Sequence, residues 1–287
     1  MPIDRPVETE AGRGGLPKLT LRHACGSSAE IYLHGAHVAS WRDAAGVERL
    51  FLSSRAQFGA DSSIRGGIPV IFPQFADLGP LPKHGFARTA EWTVASALHG
   101  GAEPARAVLR LADCAATQAV WPHAFGLELR LELDERLRVT LAVTNPGADA
   151  FDFTAALHTY FRVPDVREAA VEGLEGVRFV DKADHGDARV EASSHVRIAG
   201  EVDRVYQDAP GDLHVTTLGG GGLSIAREGF PDVVLWNPGQ QKGDALSDMA
   251  PGEYRWMLCL EAAAVAQPVT LGPGETWTAS QLLTPLP

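Results

Sequence analysis

Strict alternation of apolar and polar residues is the feature of this chain that most constrains its fold. Leucines occupy every second position from Leu127 to Leu133, and apolar residues do so again from Leu137 to Val143. Side chains two positions apart in a strand point to the same face, so each run is typical of a strand with one face buried. Asp134 and Glu135 separate the runs. The pattern therefore predicts an antiparallel hairpin with a tight turn.

Similar short runs recur along the chain, separated by Pro-Gly pairs and other turn residues. They cover 18–24, 28–33, 36–42, 91–97, 105–112, 195–202, 213–217, 223–228, 232–236, 255–262 and 275–283. Helical periodicity is scarce, with one short turn expected over 53–59. Many short strands together with 30 glycines and 19 prolines predict an all-β antiparallel sandwich with few short helices. With no internal linker, we expect a single catalytic β-sandwich domain over 1–287, in which 1–15 is a flexible N-terminal segment.

Charge and cysteine usage limit the possible partners. The chain has 25 basic and 36 acidic residues, a net charge of −11, which argues against a nucleic-acid surface. No stretch is long and apolar enough for a membrane helix or a signal peptide. The cysteines, at positions 25, 114 and 259, fit no zinc or disulfide pattern. We expect a cytoplasmic monomer with no nucleic-acid or membrane partner.

Several segments imitate functional motifs. The glycine-rich stretch 218–223 lacks the Gly-Lys-Ser/Thr ending of a phosphate loop and is expected to connect a hairpin. His34 and His37 would point to opposite faces of a strand, which disfavours a metal pair. There is no Gly-x-Ser-x-Gly elbow for serine hydrolysis. The remaining isolated histidines are interpreted as surface or structural residues: His23, His99, His123, His185 and His195.

Two irregular segments each carry an arginine. Glycines and prolines punctuate 63–75, so this segment is expected to form a loop that presents Arg65. The segment 79–88 is similar and ends with Arg88. If 84–88 runs extended, His84 and Arg88 point to the same side. Two arginines beside a histidine indicate a binding surface for an anionic substrate.

A histidine and a glutamate stand out against apolar surroundings. His158 follows the run 151–157, where it is either a hydrogen-bonded core residue or a site residue. Glu261 lies within the apolar stretch 256–265, where desolvation would raise its pKa towards the range of a general base. The alternative is a surface glutamate on an edge strand. An imidazole and a carboxylate without a metal or cofactor motif suggest proton transfer on an organic substrate.

These phrases occur in a characteristic order from about Ser53 to Gln281. The order is Ile64-Arg65-Gly66-Gly67-Ile68-Pro69, His84-Gly85-Phe86-Ala87-Arg88, Leu157-His158-Thr159-Tyr160-Phe161, Glu201-Val202-Asp203-Arg204-Val205-Tyr206, Val234-Leu235-Trp236-Asn237-Pro238, Ser247-Asp248-Met249 and Cys259-Leu260-Glu261. Together they resemble the aldose 1-epimerase superfamily, specifically its D-hexose-6-phosphate mutarotase (glucose-6-phosphate 1-epimerase) branch. The resemblance implies a galactose-mutarotase-like β-supersandwich, no cofactor, and interconversion of the anomers of a small-molecule sugar phosphate.

The resemblance also implies residue roles. His158 matches the general acid that protonates the ring oxygen, and Glu261 matches the base that deprotonates the anomeric hydroxyl. Asp203 matches a carboxylate that hydrogen-bonds the sugar. The substrate-binding positions, two arginines at the phosphate and a sugar-contacting histidine, are Arg65, Arg88 and His84.

The chain departs from the branch at Lys83, where glutamine is common. An ammonium group at this position tolerates a phosphate as a point charge. Three other interpretations remain open: a mutarotase for unphosphorylated aldoses such as galactose, a non-catalytic carbohydrate-binding sandwich, and a purely structural sandwich.

Overall fold

The computed structural model describes residues 5–184 and 186–286. His185 and residues 1–4 of the predicted N-terminal segment lie outside the described residues. The described chain consists of antiparallel sheets with two short α-helices. Neither of these helices, nor any other in the described part, is long and apolar enough to cross a membrane.

Most of the described residues between the turns lie in β-strands. The strands are β1 (Glu10–Ala11), β2 (Pro17–Arg22), β3 (Ser28–Tyr32), β4 (His37–Arg42), β5 (Val70–Ile71), β6 (Thr93–Leu98), β7 (Ala105–Ala112), β8 (Gly126–Leu133), β9 (Leu137–Thr144), β10 (Phe151–Leu157), β11 (Tyr160–Arg162), β12 (Ala169–Glu172), β13 (Arg178–Asp181), β14 (Ala188–Val190), β15 (His195–Arg197), β16 (Val202–Tyr206), β17 (Leu213–Thr217), β18 (Gly222–Glu228), β19 (Asp232–Asn237), β20 (Met257–Leu271) and β21 (Thr276–Leu286). The helices are α1 (Ala115–Val120) and α2 (Gly239–Ala245), with short 3-10 helices at Arg13–Gly15, Ala87–Thr89, Val166–Glu168 and Glu253–Trp256.

The strands form three sheets in the described part of the chain. A four-stranded sheet has the order β1-β2-β3-β4, and a nine-stranded sheet has the order β15-β12-β17-β18-β21-β9-β8-β7-β6. An eight-stranded sheet has the order β14-β13-β16-β19-β20-β10-β5, with β11 also paired to β20. The prediction of an all-β antiparallel fold with few short helices is confirmed.

The hairpin predicted from the leucine alternation is β8–β9. Its last pair joins Leu133 to Leu137, and the Asp134 N–H donates to the Arg136 carbonyl at 3.0 Å. Leu129 and Leu131 are fully buried, whereas Arg130 between them is exposed. The buried face belongs to a large core shared by the sheets, where each such side chain contributes about 1.5–3 kcal/mol.

The eight-stranded sheet uses its two faces differently. On β20, Leu258 and Leu260 join the large core, whereas Cys259 and Ala263 belong to smaller apolar clusters on the opposite face. Glu261 shares that opposite face because alternate residues of a strand point the same way. One face of the sheet packs on the large core and holds the strands in place, so the opposite face is available for a site.

Two predicted strands differ from the structure. The single strand predicted over 195–202 is wrong, because the segment divides into β15 and β16, which belong to different sheets. Gly200 lies in the connection between them, where the chain crosses from one sheet to the other. The strand predicted over 255–262 begins instead at Met257, after a 3-10 helix, and continues to Leu271.

The helical segments match expectation only in part. The one short turn expected over 53–59 is present, because the Ala56 N–H donates to the Ser53 carbonyl. Helix α2 was not predicted, because Gly239 and Gly243 lower the helix propensity of a seven-residue segment.

Candidate active site

A pocket of about 410 Å³ opens on the face of the eight-stranded sheet that carries Glu261. All the side chains predicted from sequence to bind or transform a substrate line it: Arg65, Lys83, His84, Arg88, His158, Asp203 and Glu261. The segments that supply them lie far apart in the sequence. Their convergence makes this pocket the candidate active site.

The floor of the pocket comes from neighbouring strands. Asp203 of β16 pairs with Trp236 of β19, and Val234 of β19 pairs with Glu261 of β20. Trp236 and Val234 are two residues apart and both line the pocket. The pleat of the sheet therefore places the Asp203 and Glu261 carboxylates on one surface, on either side of β19.

His158 faces Glu261 because of the strand register. Leu157 pairs with Ala262 and Tyr160 pairs with Cys259, so His158 and Glu261 occupy facing positions between these pairs. The His158 Nδ1 atom lies 3.4 Å from Glu261 Oε1. The contact is close but not aligned as a hydrogen bond, and Nδ1 and Glu261 Oε2 have no hydrogen-bond partner among the described residues. Glu261 is 1% exposed on a central strand, so the edge-strand alternative for this residue is wrong.

Burial dominates the electrostatics of this pair. Desolvation, followed by the nearby Asp203 carboxylate, raises the pKa of Glu261 well above its ordinary value. Desolvation, followed by the charges of His84 and Arg88, lowers the pKa of His158 well below its ordinary value. Burial therefore disfavours the charged form of both residues.

Arg65 is held by a tight approach of two backbone segments. Gly66 has a φ of +116°, and a Cβ on it would lie 2.4 Å from the carbonyl oxygen of Phe51, so only glycine fits beside the arginine. The Arg65 Nε donates to Asp248 Oδ2 at 3.1 Å, and Nη1 donates to the Tyr160 hydroxyl at 2.9 Å. These bonds aim the guanidinium at the pocket.

His84 and Ala76 are hydrogen-bonded to each other at the two ends of the loop 76–84, which borders the pocket. The His84 backbone N–H donates to the Ala76 carbonyl at 3.0 Å, and the Ala76 N–H donates to His84 Nδ1 at 3.2 Å. An accepting Nδ1 places the proton of the neutral ring on Nε2, which is then a donor. Desolvation, followed by the charge of Arg88, lowers the pKa of His84 to about 3. His84 is thus a neutral hydrogen-bonding group at neutral pH.

The segment 84–88 does not run extended, which was the condition for His84 and Arg88 to point to the same side by strand alternation. His84 and Gly85 both have φ of 68°, and a 3-10 helix follows at Ala87–Thr89. The side chains of His84 and Arg88 nevertheless both line the pocket. The predicted proximity therefore occurs through a left-handed turn and a helix rather than through strand alternation.

The three cationic side chains near the pocket differ in whether a carboxylate already pairs with them. Arg65 is paired with Asp248, with 3.0 Å between Nη2 and Oδ2. The Arg88 Nη2 donates only to the Lys83 carbonyl, at 2.8 Å, and no carboxylate of the described residues pairs with it. Lys83 is exposed, with Nζ 3.8 Å from Asp77 Oδ2. Arg88 is therefore the guanidinium most available to an anion.

Sequence reasoning gave no role to several residues of the site. Lys182 lines the pocket with its Nζ 5.3 Å from the ring centroid of Phe75, and no sequence pattern indicated it. Tyr160 and Asp248 fell within the motif phrases, but their contacts with Arg65 depend on tertiary structure. In the described residues no group of three or more His, Cys, Asp or Glu side chains is arranged to hold a metal ion.

A second cavity, of about 380 Å³, lies near Trp256 and the glycine-rich hairpin at 220–222. It is lined by Arg49, Arg162 and Glu48, but it contains no facing histidine and carboxylate. Among these two cavities, only the pocket with His158 brings a histidine and a carboxylate together.

Comparisons with known proteins agree with this geometry. The model of the family described as aldose 1-epimerase matches residues 17–284. A protein of Cenchrus ciliaris named "Putative glucose-6-phosphate 1-epimerase" is 39% identical over 282 residues, covering 95% of this chain and 86% of that protein. A protein of Escherichia coli (strain K12) with the same name is 32% identical over 243 residues, covering 83% of this chain and 80% of its own length.

A solved structure shows the same fold. The crystal structure of a "putative mutarotase (YeaD)" from Salmonella typhimurium superimposes with a TM-score of 0.90 at 25% identity, covering 100% of this chain and 97% of that chain. The predicted mutarotase fold is thereby confirmed. Together with the family match over almost the whole chain, this shows that the protein belongs to the aldose 1-epimerase family.

Proposed function

We propose that the protein interconverts the α and β anomers of a hexose 6-phosphate, with glucose 6-phosphate as the expected substrate. The observation that carries the proposal is the buried pair formed by His158 and Glu261, 3.4 Å apart, in a pocket that also contains Arg88, whose guanidinium has no carboxylate partner among the described residues. The pair supplies an acid and a base, and the guanidinium supplies an anion site. The names of the similar proteins support the same substrate class.

The reaction requires two proton transfers. Glu261 takes the proton of the C1 hydroxyl while His158 donates a proton to the ring oxygen, so the bond between C1 and the ring oxygen breaks and an aldehyde forms. Rotation about the C1–C2 bond presents the other face of the carbonyl. Ring closure then reverses both transfers, and no proton is gained or lost overall. Each positioned group contributes a factor of roughly 10²–10⁴ to the rate.

The pair has to become ionised before the sugar ring opens. Moving a single proton from Glu261 to His158 produces both the base and the acid, because the neutral and ionic pairs hold the same number of protons. His158 Nδ1 is sealed from solvent and faces Glu261, which leaves Nε2 to donate to the ring oxygen. The charges of Arg88 and Arg65 lower the pKa of His158. A bound phosphate dianion would offset these charges and favour the ionic pair.

The other residues bind the substrate. Arg88 and Arg65 donate charge-assisted hydrogen bonds to the phosphate. Neutral His84 donates through Nε2 to a sugar oxygen, and Asp203 accepts from a sugar hydroxyl. Desolvation raises the pKa of Asp203, and a nearby phosphate would raise it further. We therefore place the Asp203 carboxylate beside the sugar hydroxyls rather than beside the phosphate. Lys83 adds a screened positive charge at the rim.

A mutarotase for unphosphorylated aldoses is the second candidate. The observation that favours it is the ion pair of Arg65 with Asp248, which neutralises one of the two arginines before any substrate binds. Arg88 and Lys182 remain without a carboxylate partner among the described residues, which favours the phosphorylated substrate.

The experiment is anomer exchange measured by NMR exchange spectroscopy with glucose 6-phosphate, glucose and galactose under the same conditions. We expect acceleration of glucose 6-phosphate exchange with a higher kcat/KM than for either free sugar. Faster exchange of galactose would support the second candidate. Tight sugar binding without exchange would identify a non-catalytic carbohydrate-binding protein.

For the protein as a whole, we propose a single catalytic domain that works as a monomer in the cytoplasm. The acid-base pair and the binding residues come from one chain, and the proposed chemistry uses only side chains. Size-exclusion chromatography with light scattering checks the monomer.

A further inference from the structure

We propose that Tyr160 is the positioning residue that holds the His158 imidazole in its reactive orientation. The inference rests on the proposed function, in which His158 is the general acid. Tyr160 itself does not line the pocket and is 2% exposed, so it acts through its neighbours rather than on the substrate.

The two rings are stacked almost in parallel. Their centroids are 4.8 Å apart with an interplanar angle of 9°. Trp236 stands edge-on to both, at 6.1 Å and 86° from His158 and at 6.0 Å and 79° from Tyr160. A flat contact on one side and an edge contact on another leave the imidazole little rotational freedom.

Packing contributes to the orientation of this ring because no described residue forms a hydrogen bond with its Nδ1 atom. A catalytic histidine is usually oriented by a bond from one ring nitrogen to a carboxylate or carbonyl. Here His158 Nδ1 has no hydrogen-bond partner among the described residues, although Glu261 Oε1 lies 3.4 Å away. The Tyr160 ring supplies the orientation that this missing bond would otherwise give.

Tyr160 is itself fixed at both ends. Its backbone pairs with Cys259 on β20, and its N–H donates to the Gly67 carbonyl at 2.9 Å. Its hydroxyl accepts a hydrogen bond of 2.9 Å from Arg65 Nη1, and Arg65 is anchored by Asp248. The ring is therefore a rigid support for His158, tied to the arginine of the anion site.

Two substitutions separate the parts of this arrangement. Tyr160→Phe keeps the stacked ring and removes only the acceptor for Arg65, whereas Tyr160→Leu removes both, so the difference between the two variants reports the ring. Tyr206 offers matched controls, because it is fully buried, packs 5.0 Å from the Phe179 ring and donates to Glu191 at 2.8 Å, away from the pocket. Tyr206→Phe and Tyr206→Leu report the general cost of altering a buried tyrosine in this sheet.

The kinetic test measures kcat and KM for anomer exchange of glucose 6-phosphate. We expect Tyr160→Leu to lower kcat by roughly tenfold or more, a part of the factor that a positioned acid supplies, and to raise KM about as much as Tyr160→Phe does, because both variants lose the acceptor for Arg65. Tyr160→Phe should retain kcat within about threefold and mainly raise KM, because Arg65 loses a partner. A folded Tyr160→Leu protein with wild-type kcat would overturn the proposal, as would an equal loss in Tyr206→Leu.

A spectroscopic measurement on the free protein keeps the inference separate from the proposed substrate. In protein with ¹⁵N-labelled histidine, the ring protons of His158 should show the ring-current shift of a stacked six-membered aromatic ring in the wild type and in Tyr160→Phe. The shift should disappear in Tyr160→Leu and persist in both Tyr206 variants. If the wild type acts on galactose instead, the proposed substrate fails and the kinetic comparison is made with galactose. If it acts on neither sugar, unchanged His158 resonances in Tyr160→Leu would overturn the positioning role.

Discussion

His158 lies in the two-residue break between β10 and β11 and faces Glu261 of β20, with Nδ1 of the histidine 3.4 Å from Oε1 of the glutamate. The cross-strand pairs on either side, Leu157 with Ala262 and Tyr160 with Cys259, set this separation through the backbone. The acid and the base of the proposed reaction are thus positioned by the register of the strands that flank them. Such a site is preorganised before substrate arrives.

Glu261→Gln should stabilise the folded protein at neutral pH. The pKa of Glu261 is raised above its ordinary value of 4.5, so above that pH the unfolded chain ionises while the folded chain resists. Stability is lost as the pH rises from 4.5 towards the folded pKa, and glutamine carries no such penalty. We expect a higher Tm for the variant at pH 7.5 and no gain near pH 4, measured by differential scanning calorimetry.

Glu191→Gln is the matched control for that measurement. The Glu191 carboxylate accepts hydrogen bonds from Tyr206 at 2.8 Å and from Arg204 at 3.1 Å, so its ionised form already has partners. This variant should gain no stability at pH 7.5. A gain equal to that of Glu261→Gln would show that the effect does not come from the active-site burial.

Acidification should weaken the fold through buried histidines. Desolvation lowers the pKa of His37 to about 3, below its ordinary value of 6.5. The unfolded chain therefore binds a proton that the folded chain refuses, and stability present above pH 6.5 is lost as the pH falls towards 3. His37→Asn should reduce the slope of unfolding free energy against pH by up to about 1.4 kcal/mol per pH unit. Urea denaturation between pH 7 and pH 5 checks this, and an unchanged slope would contradict it.

Arg88→Gln should selectively weaken binding of the phosphorylated substrate. Arg88 has no carboxylate partner in the described residues, so its hydrogen bonds remain available to phosphate. A hydrogen bond to a charged group is worth about 1.5–3 kcal/mol, which predicts a rise of roughly 10- to 100-fold in the KM for glucose 6-phosphate. The KM for galactose should change by less than about threefold. Equal losses for both sugars would argue against a phosphate contact.

Arg65→Gln should combine a binding defect with a stability defect. Its guanidinium bridges Asp248 and Tyr160, so removing the charge leaves a partly buried carboxylate without its cation. We expect a lower Tm than for Arg88→Gln together with a raised KM for glucose 6-phosphate. Thermal unfolding of the two variants side by side distinguishes them. An unchanged Tm in Arg65→Gln would mean that the bridge adds no stability.

Lys83→Gln should change substrate binding only slightly, although glutamine is common at this position in the hexose-6-phosphate mutarotase branch. The Lys83 side chain is 62% exposed and lies near Asp77, so solvent and salt screen its charge. The KM for glucose 6-phosphate should change by less than about threefold at physiological ionic strength. A tenfold rise in steady-state assays would instead make Lys83 a principal phosphate ligand.

Strand alternation and motif order predicted the fold class and the residues that line the pocket. The leucines of β8 and β9 revealed their hairpin because one face is buried and the other is exposed. The ordered phrases around Arg65, His158 and Glu261 indicated side chains that tertiary structure then brings together. Both features can be recognised from sequence because the alternation depends only on local spacing and the motifs depend only on which residues occur in which order.

Other features depend on tertiary contacts that no local pattern reports. The chain between β15 and β16 changes sheet at Gly200, and periodicity alone cannot distinguish this from a continuous strand. Lys182 reaches the pocket because β13 lies beside β16, which is a matter of sheet order. The left-handed turn at His84 depends on its bonds with Ala76, and a nonglycine residue in that conformation is uncommon.

The most direct test of the central claim is anomer exchange of glucose 6-phosphate by NMR exchange spectroscopy, with wild type and Glu261→Gln at equal concentration. The wild type should accelerate exchange above the buffer rate, and the folded variant should lose a factor of roughly 10²–10⁴, because glutamine has the shape of glutamate but cannot accept the proton. Exchange at the wild-type rate in folded Glu261→Gln, or no acceleration by the wild type, would contradict the account.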